Sequence, residues 1–315
     1  MPNMTKNYYE FVVNYLNLIR WQNLFMIALV QCLIKYGLLQ PFGVSMALSM
    51  FHFVLLVIST LCIAAAGNII NDIYDVETDS VNKPEKVIIG KSVSEKMGYN
   101  LFIILNVLGV GIGFYVSYII GKSELSAIFV IISALLYVYA SFLKQTFLIG
   151  NLIISALVAL SIIIVGVFEL IPVMTIQNQG IQLAFFRILL DYAIFAFIIN
   201  FIREIAKDIE DIDGDHKSGM HTLPIVIGRN RASKVLFALS LIPLVAVIYY
   251  INIRLYKQPI AVIYYLVFVI APLIYCSILI FNAKTKKDFH TISNLLKLVM
   301  LFGMLSILLY KFILL

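Results

Sequence analysis

Gly67-Asn68-Ile69-Ile70-Asn71-Asp72-Ile73-Tyr74-Asp75-Val76-Glu77-Thr78-Asp79 closes a long apolar run with three aspartates. At about 100° per helical residue, offsets of three and seven put Asp72, Asp75 and Asp79 on one face. A one-sided row of carboxylates at the end of a membrane-length helix calls for a cation. The rest of the chain reads as the housing for this row and for a second one.

The housing is membranous. Of 315 residues, 62% are hydrophobic and 13% charged, against about 45–50% and about 25% in soluble domains. The composition gives an all-α, polytopic membrane protein. Its three cysteines, Cys32, Cys62 and Cys276, all lie in apolar runs, which argues against a disulfide framework or a zinc site. The net charge of +6 belongs to the membrane-flanking loops and does not indicate nucleic acid. Residues 1–20 lack a signal-peptide cleavage pattern, so the first apolar run is expected to stay in the chain.

A span takes roughly 20 mostly apolar residues. Nine candidates run at about 22–40, 45–71, 99–120, 124–143, 148–173, 183–202, 232–252, 259–281 and 291–314. The two long polar connections, about 72–98 and about 203–231, each open with an acidic row. With the N-terminus in the cytoplasm and nine crossings, 17 of the 23 Lys and Arg residues fall on the cytoplasmic side and 6 outside. That bias predicts N-terminus in, C-terminus out, and both rows toward the cytoplasm. Tyr8, Tyr9, Tyr249 and Tyr250 read as an interfacial belt, Glu169 as interfacial, and Asp191 as paired with Arg187 one turn earlier.

The second row is an internal repeat of the first. Asp208, Asp211 and Asp215 each lie 136 residues after Asp72, Asp75 and Asp79, and the rows end the second and sixth spans. This predicts two four-helix units plus one further helix, with the rows facing each other. Carboxylates so crowded repel unless cations bridge them. Hard divalent ions with oxygen ligands fit, and Mg²⁺ completes its shell with water and phosphate oxygens. Lys83, Lys86, Lys144, Arg203 and Lys207 add positive charge around the rows. Carboxylates, metal and cations at a membrane face suit a pyrophosphate-bearing ligand with a hydrocarbon tail.

Several blocks then carry a family resemblance. Asn71-Asp-x-x-Asp75-x-x-x-Asp79, Asn82-Lys83-Pro84, Asp211-x-x-x-Asp215, Gly219 and Thr222-Leu223-Pro224 resemble the UbiA superfamily of intramembrane prenyltransferases over essentially the whole chain. The resemblance implies one transmembrane prenyltransferase domain over 1–315, with halves of about 1–145 and 146–315. It implies Mg²⁺, a polyprenyl diphosphate donor and a lipophilic acceptor, among membrane lipids. Carried over, Asn71, Asp72, Asp75, Asp79, Asp208, Asp211 and Asp215 are metal ligands, and Asp72, Asp75, Asp79, Asp211 and Asp215 are catalytic. Asn68, Lys83, Tyr139, Lys144, Arg203 and Lys207 contact the diphosphate. Arg20 and Asn23, from a block resembling the family's Arg-Pro-x-Asn, contact acceptor or diphosphate.

The stretch from Gly67 to Pro84 is most similar to the digeranylgeranylglyceryl phosphate synthase branch, which implies a prenylated glyceryl phosphate as acceptor. That branch often continues with Arg-Pro where this chain has Lys86-Val87, and lysine lacks arginine's planar fork for phosphate. Branches with aromatic acceptors, such as those of menaquinone-type quinone biosynthesis, share the same aspartates, so the acceptor stays open here. An ion-coupled transporter also has repeats and carboxylates, but its acids lie near mid-membrane on broken helices.

Overall fold

The computed structural model describes residues 12–313. Among them, nine helices are long and apolar enough to cross a membrane: α1 (Trp21–Phe42), α2 (Met50–Tyr74), α3 (Glu95–Ile119), α4 (Ser123–Ser141), α5 (Ile149–Glu169), α6 (Gln179–Lys217), α7 (Arg229–Leu255), α8 (Pro259–Asn282) and α9 (Lys286–Phe312). The number agrees with the hydropathy reading, and the protein is a multi-pass membrane protein. Tyr8 and Tyr9 lie outside the described residues.

The ends differ most at α6. Hydropathy stops near residue 202, but the helix continues to Lys217, 39 residues in all. At 1.5 Å per residue that is roughly 58 Å, nearly twice a bilayer core. The second row is therefore helical and is not the start of a loop. The first row crosses a slight break. α2 ends at Tyr74, Asp75 has φ −95° and ψ 0°, and a short helix follows over Val76–Asn82. The i→i−4 bonds from Asp75, Asp79 and Lys83 persist across it, at 2.9, 2.7 and 2.8 Å, so the row keeps its helical register.

Two compact units make up the chain. The first comprises residues up to Leu29 and Ala47–Lys144, the second Val30–Met46 and Gln145–Leu315. In the first, α2 packs mainly on α3, with α4 against both. Small residues let these helices close up, as they do where hydrophobicity cannot drive association. Ser59 Oγ donates to the Gly109 carbonyl at 2.6 Å. A Cβ on Gly113 would sit 2.4 Å from the ring of the buried Phe129. Gly113→Ala should therefore lower stability by about 1–3 kcal/mol, read as a fall in thermal midpoint. Gly111→Ala, whose Cβ meets nothing within 4 Å, should be neutral or better. Behind the first row lies a core of Leu18, Ile69, Ile70, Ile73, Ile89 and Val93.

In the second unit α6 packs on α5, α7 and α9, over a core running from Ile199 to Val299. Glu169, the last residue of α5, is wholly buried and 2.5 Å from Lys35. One expectation is corrected here. No ion pair joins Asp191 to Arg187 among the described residues.

The repeat has a backbone signature. Among the described residues only Arg20 (φ 53°) and Leu148 (φ 57°) are non-glycine residues with positive φ. Each immediately precedes the first long helix of a repeat, α1 or α5, and its carbonyl accepts an opening bond from the residue four further on, Leu24 N at 3.3 Å or Leu152 N at 3.0 Å. This left-handed conformation costs about 1–3 kcal/mol in a residue with a side chain. Its recurrence marks an entry turn built the same way twice.

Candidate active site

The first row is built at the end of α2. Arg20, fixed by its left-handed turn, places Nη2 2.6 Å from Asp72 Oδ1. The carboxylate raises the pKa of the guanidinium further above its ordinary value. Lys144, at the end of the first unit, places Nζ 2.6 Å from Asp75 Oδ1 and 3.3 Å from Asn71 Oδ1. Asn71 Nδ2 donates to Asp75 Oδ2 at 2.6 Å. Asn68 Nδ2 donates to the Ile19 carbonyl at 2.9 Å, tying α2 to the turn that carries Arg20. The Arg20 guanidinium also feels Tyr139 and Asp75. The backbone N–H of Asn23 bonds the Arg20 carbonyl. The first unit thus brings together Arg20, Asn68, Asn71, Asp72, Asp75, Tyr139 and Lys144. Asp79 follows one turn on, and Lys83 closes the short helix.

The second row lies on α6. Asp208 Oδ2 accepts 2.7 Å from Asn151 Nδ2 on α5. Asp211 is half-buried and Asp215 is 7% exposed. One turn before Asp208, the buried Glu204 takes both neighbouring cations, Arg203 Nη1 at 3.0 Å and Lys207 Nζ at 2.8 Å. On the far side of the row, His290 Nδ1 on α9 is 3.1 Å from Glu210.

Two participants were not foreseen from sequence. Glu204, inside Arg203-Glu-Ile, organises two of the expected diphosphate contacts. Asn151 belongs to none of the motifs, and it stands three residues after Leu148 as Asn23 stands three after Arg20.

The donor set is oxygen throughout, which fits a hard divalent cation. Among the described residues no three His, Cys, Asp or Glu side chains converge closely enough to hold an ion by themselves. Mg²⁺ takes one or two carboxylates and completes its octahedron with water and phosphate oxygens. Asp75, though held by Lys144 and Asn71, keeps further lone pairs on both oxygens.

Comparison with known proteins bears on the family and the fold. The model of the UbiA prenyltransferase family matches residues 37–301. The digeranylgeranylglyceryl phosphate synthase of Methanosphaera stadtmanae is 31% identical over 258 residues, 80% of this chain and 86% of that protein. The synthase of the same name from Methanococcoides burtonii is 31% identical over 297 residues, 93% and 97% of the two chains. A solved structure of a UbiA homolog from Archaeoglobus fulgidus, bound to DMAPP and Mg²⁺, shares the fold with a TM-score of 0.58 at 18% identity, over 93% of this chain and 99% of that one. With its family model matched over residues 37–301 and its two aspartate rows each ending a long apolar helix, the chain belongs to the UbiA prenyltransferase family.

Proposed function

We propose that this protein transfers a polyprenyl group from its diphosphate to a prenylated glyceryl phosphate, with Mg²⁺ as the metal. The observation that carries the reading is the mixed charge at the end of α2. Asp72 and Asp75 stand with Arg20 and Lys144 at 2.6 Å each, a combination suited to a metal-laden diphosphate. The relatives named as glyceryl phosphate synthases support the acceptor.

In this reading Asn71, Asp75, Asp79, Asp208, Asp211 and Asp215 hold the cations, and Asp72 works through Arg20. When bound, Mg²⁺ supplies Lewis-acid and electrostatic stabilisation of the departing diphosphate. Lys144, Lys83 and Tyr139 contact diphosphate oxygens directly, as do Arg203 and Lys207 from their places on Glu204. Preset charges of this kind need no reorganisation as the anion leaves. Apolar helix walls keep water from the allylic cation until the acceptor attacks. The rows face the cytoplasm, as the distribution of Lys and Arg supports.

Purified protein, given geranylgeranyl diphosphate, Mg²⁺ and a geranylgeranylated glyceryl phosphate, should release pyrophosphate and yield a product heavier by one prenyl group. Mass spectrometry reads the product. EDTA should stop the reaction and excess Mg²⁺ restore it. A product formed only with a naphthoate-type acceptor moves the assignment to aromatic prenylation, and full activity in EDTA rejects the metal's role.

A further inference from the structure

Asp72 and Asp208 occupy equivalent places in the two repeats, yet their partners differ. Asp72 meets a guanidinium. Asp208 meets the amide of Asn151, at 2.7 Å. Asn151 is 7% exposed and backed by a buried polar ladder within the same unit. Ser155 Oγ donates to the main-chain carbonyl of Asn151 at 2.6 Å, and Asn200 Nδ2 donates to Ser155 Oγ at 3.3 Å. Polar side chains inside membrane helices are costly and rare. Linking α5 to α6 accounts for Ser155 and Asn200, since such bonds join helices in lipid. It does not require a carboxylate at the end of the ladder.

We infer that Asn151 is a positioning residue that presents Asp208 to a divalent cation. An amide donor fixes Oδ2 and thereby the plane of the carboxylate. Being neutral, the amide adds no positive charge beside Asp208, whereas Asp72 is paired with the Arg20 guanidinium. Partners of this kind behind a metal ligand set its orientation. The entry turn at Leu148 delivers Asn151 to this place, as the turn at Arg20 delivers the guanidinium itself. The inference rests on the reading of the second row as a cation site and adds the residue that shapes it.

The test uses Mn²⁺ as probe, titrated into the purified full chain in detergent with no prenyl diphosphate present and followed by water-proton relaxation. Asn151→Ala should weaken Mn²⁺ binding about 10–100-fold, as should Asp208→Ala. Ser155→Ala cuts the ladder but spares the amide donor, and should change the affinity less than about threefold, within the effect of one modest contact. Thermal unfolding checks that each variant is folded. Should Asn151→Ala not fold, Asn151→Ser is too short to reach Asp208 and must show the same loss. A folded Asn151 variant with wild-type Mn²⁺ affinity overturns the inference, and so does a loss in Ser155→Ala equal to that in Asn151→Ala. Failure of prenyl transfer with Mn²⁺ binding intact would count against the proposed reaction and leave Asn151's role standing.

Discussion

Asp75→Asn should cut pyrophosphate release by about 10³-fold, some 4 kcal/mol of transition-state stabilisation. Asp75 is engaged on both oxygens, by Lys144 at 2.6 Å and by Asn71 at 2.6 Å. Its carboxylate orients two neighbours and offers charge to a cation. The amide keeps the shape, removes the charge, and leaves Lys144 beside a neutral group. Asp75→Ala should be as inactive and less stable, since the Lys144 side chain is only 8% exposed and would lose its counter-ion in a confined place. Asp211→Ala should abolish release as well. Initial rates at saturating donor and Mg²⁺, set beside thermal midpoints, separate chemistry from folding. An Asp75→Asn enzyme that folds and turns over at the wild-type rate would remove the first row from the mechanism.

These outcomes depend on features that differ in how openly the sequence carries them. The nine spans were legible because a bilayer demands about 20 apolar residues in a row and the chain meets the demand nine times. The rows were legible because aspartate is costly at the end of such a run, and the spacing repeats to the residue. The continuation of α6 to Lys217 was not, because hydropathy reports burial in lipid and is blind to a polar helix that carries on past it. Pairings were the least legible. Arg203 and Lys207 were read as cations awaiting an anion, while the carboxylate that holds both, Glu204, stands between them in sequence. Spacing reveals which residues share a face, and only packing reveals which of them meet. Leu148 shows the same limit. Nothing in a leucine announces a left-handed turn, yet the turn sets where Asn151 begins its helix.

Glu169→Leu should cost about 3–5 kcal/mol, the toll of leaving one member of a buried ion pair alone. Lys35 and Glu169 are 4% and 0% exposed and 2.5 Å apart within the second unit. Lys35 lies in a π-helical stretch of α1, Leu33–Leu39, where the widened turn departs from the ordinary ladder. Glu169 is the last residue of α5. Two glutamines accompany the pair. Gln31 Nε2 donates to the Ser161 carbonyl at 3.0 Å, and Gln182 Nε2 to the Ser45 carbonyl at 2.9 Å. The ion pair therefore sits in a polar seam that fastens α1 and the following segment to α5 and α6. Lys35→Met should be destabilising to a similar degree, because it strands the glutamate where water does not reach. The double variant Lys35→Met/Glu169→Leu should recover most of the loss, since matched apolar groups need no desolvation of charge. Unfolding midpoints of the four proteins in one detergent make the double-mutant cycle. Additive losses in the double variant would mean that the two charges do not act on each other, and that the seam is held by its glutamines.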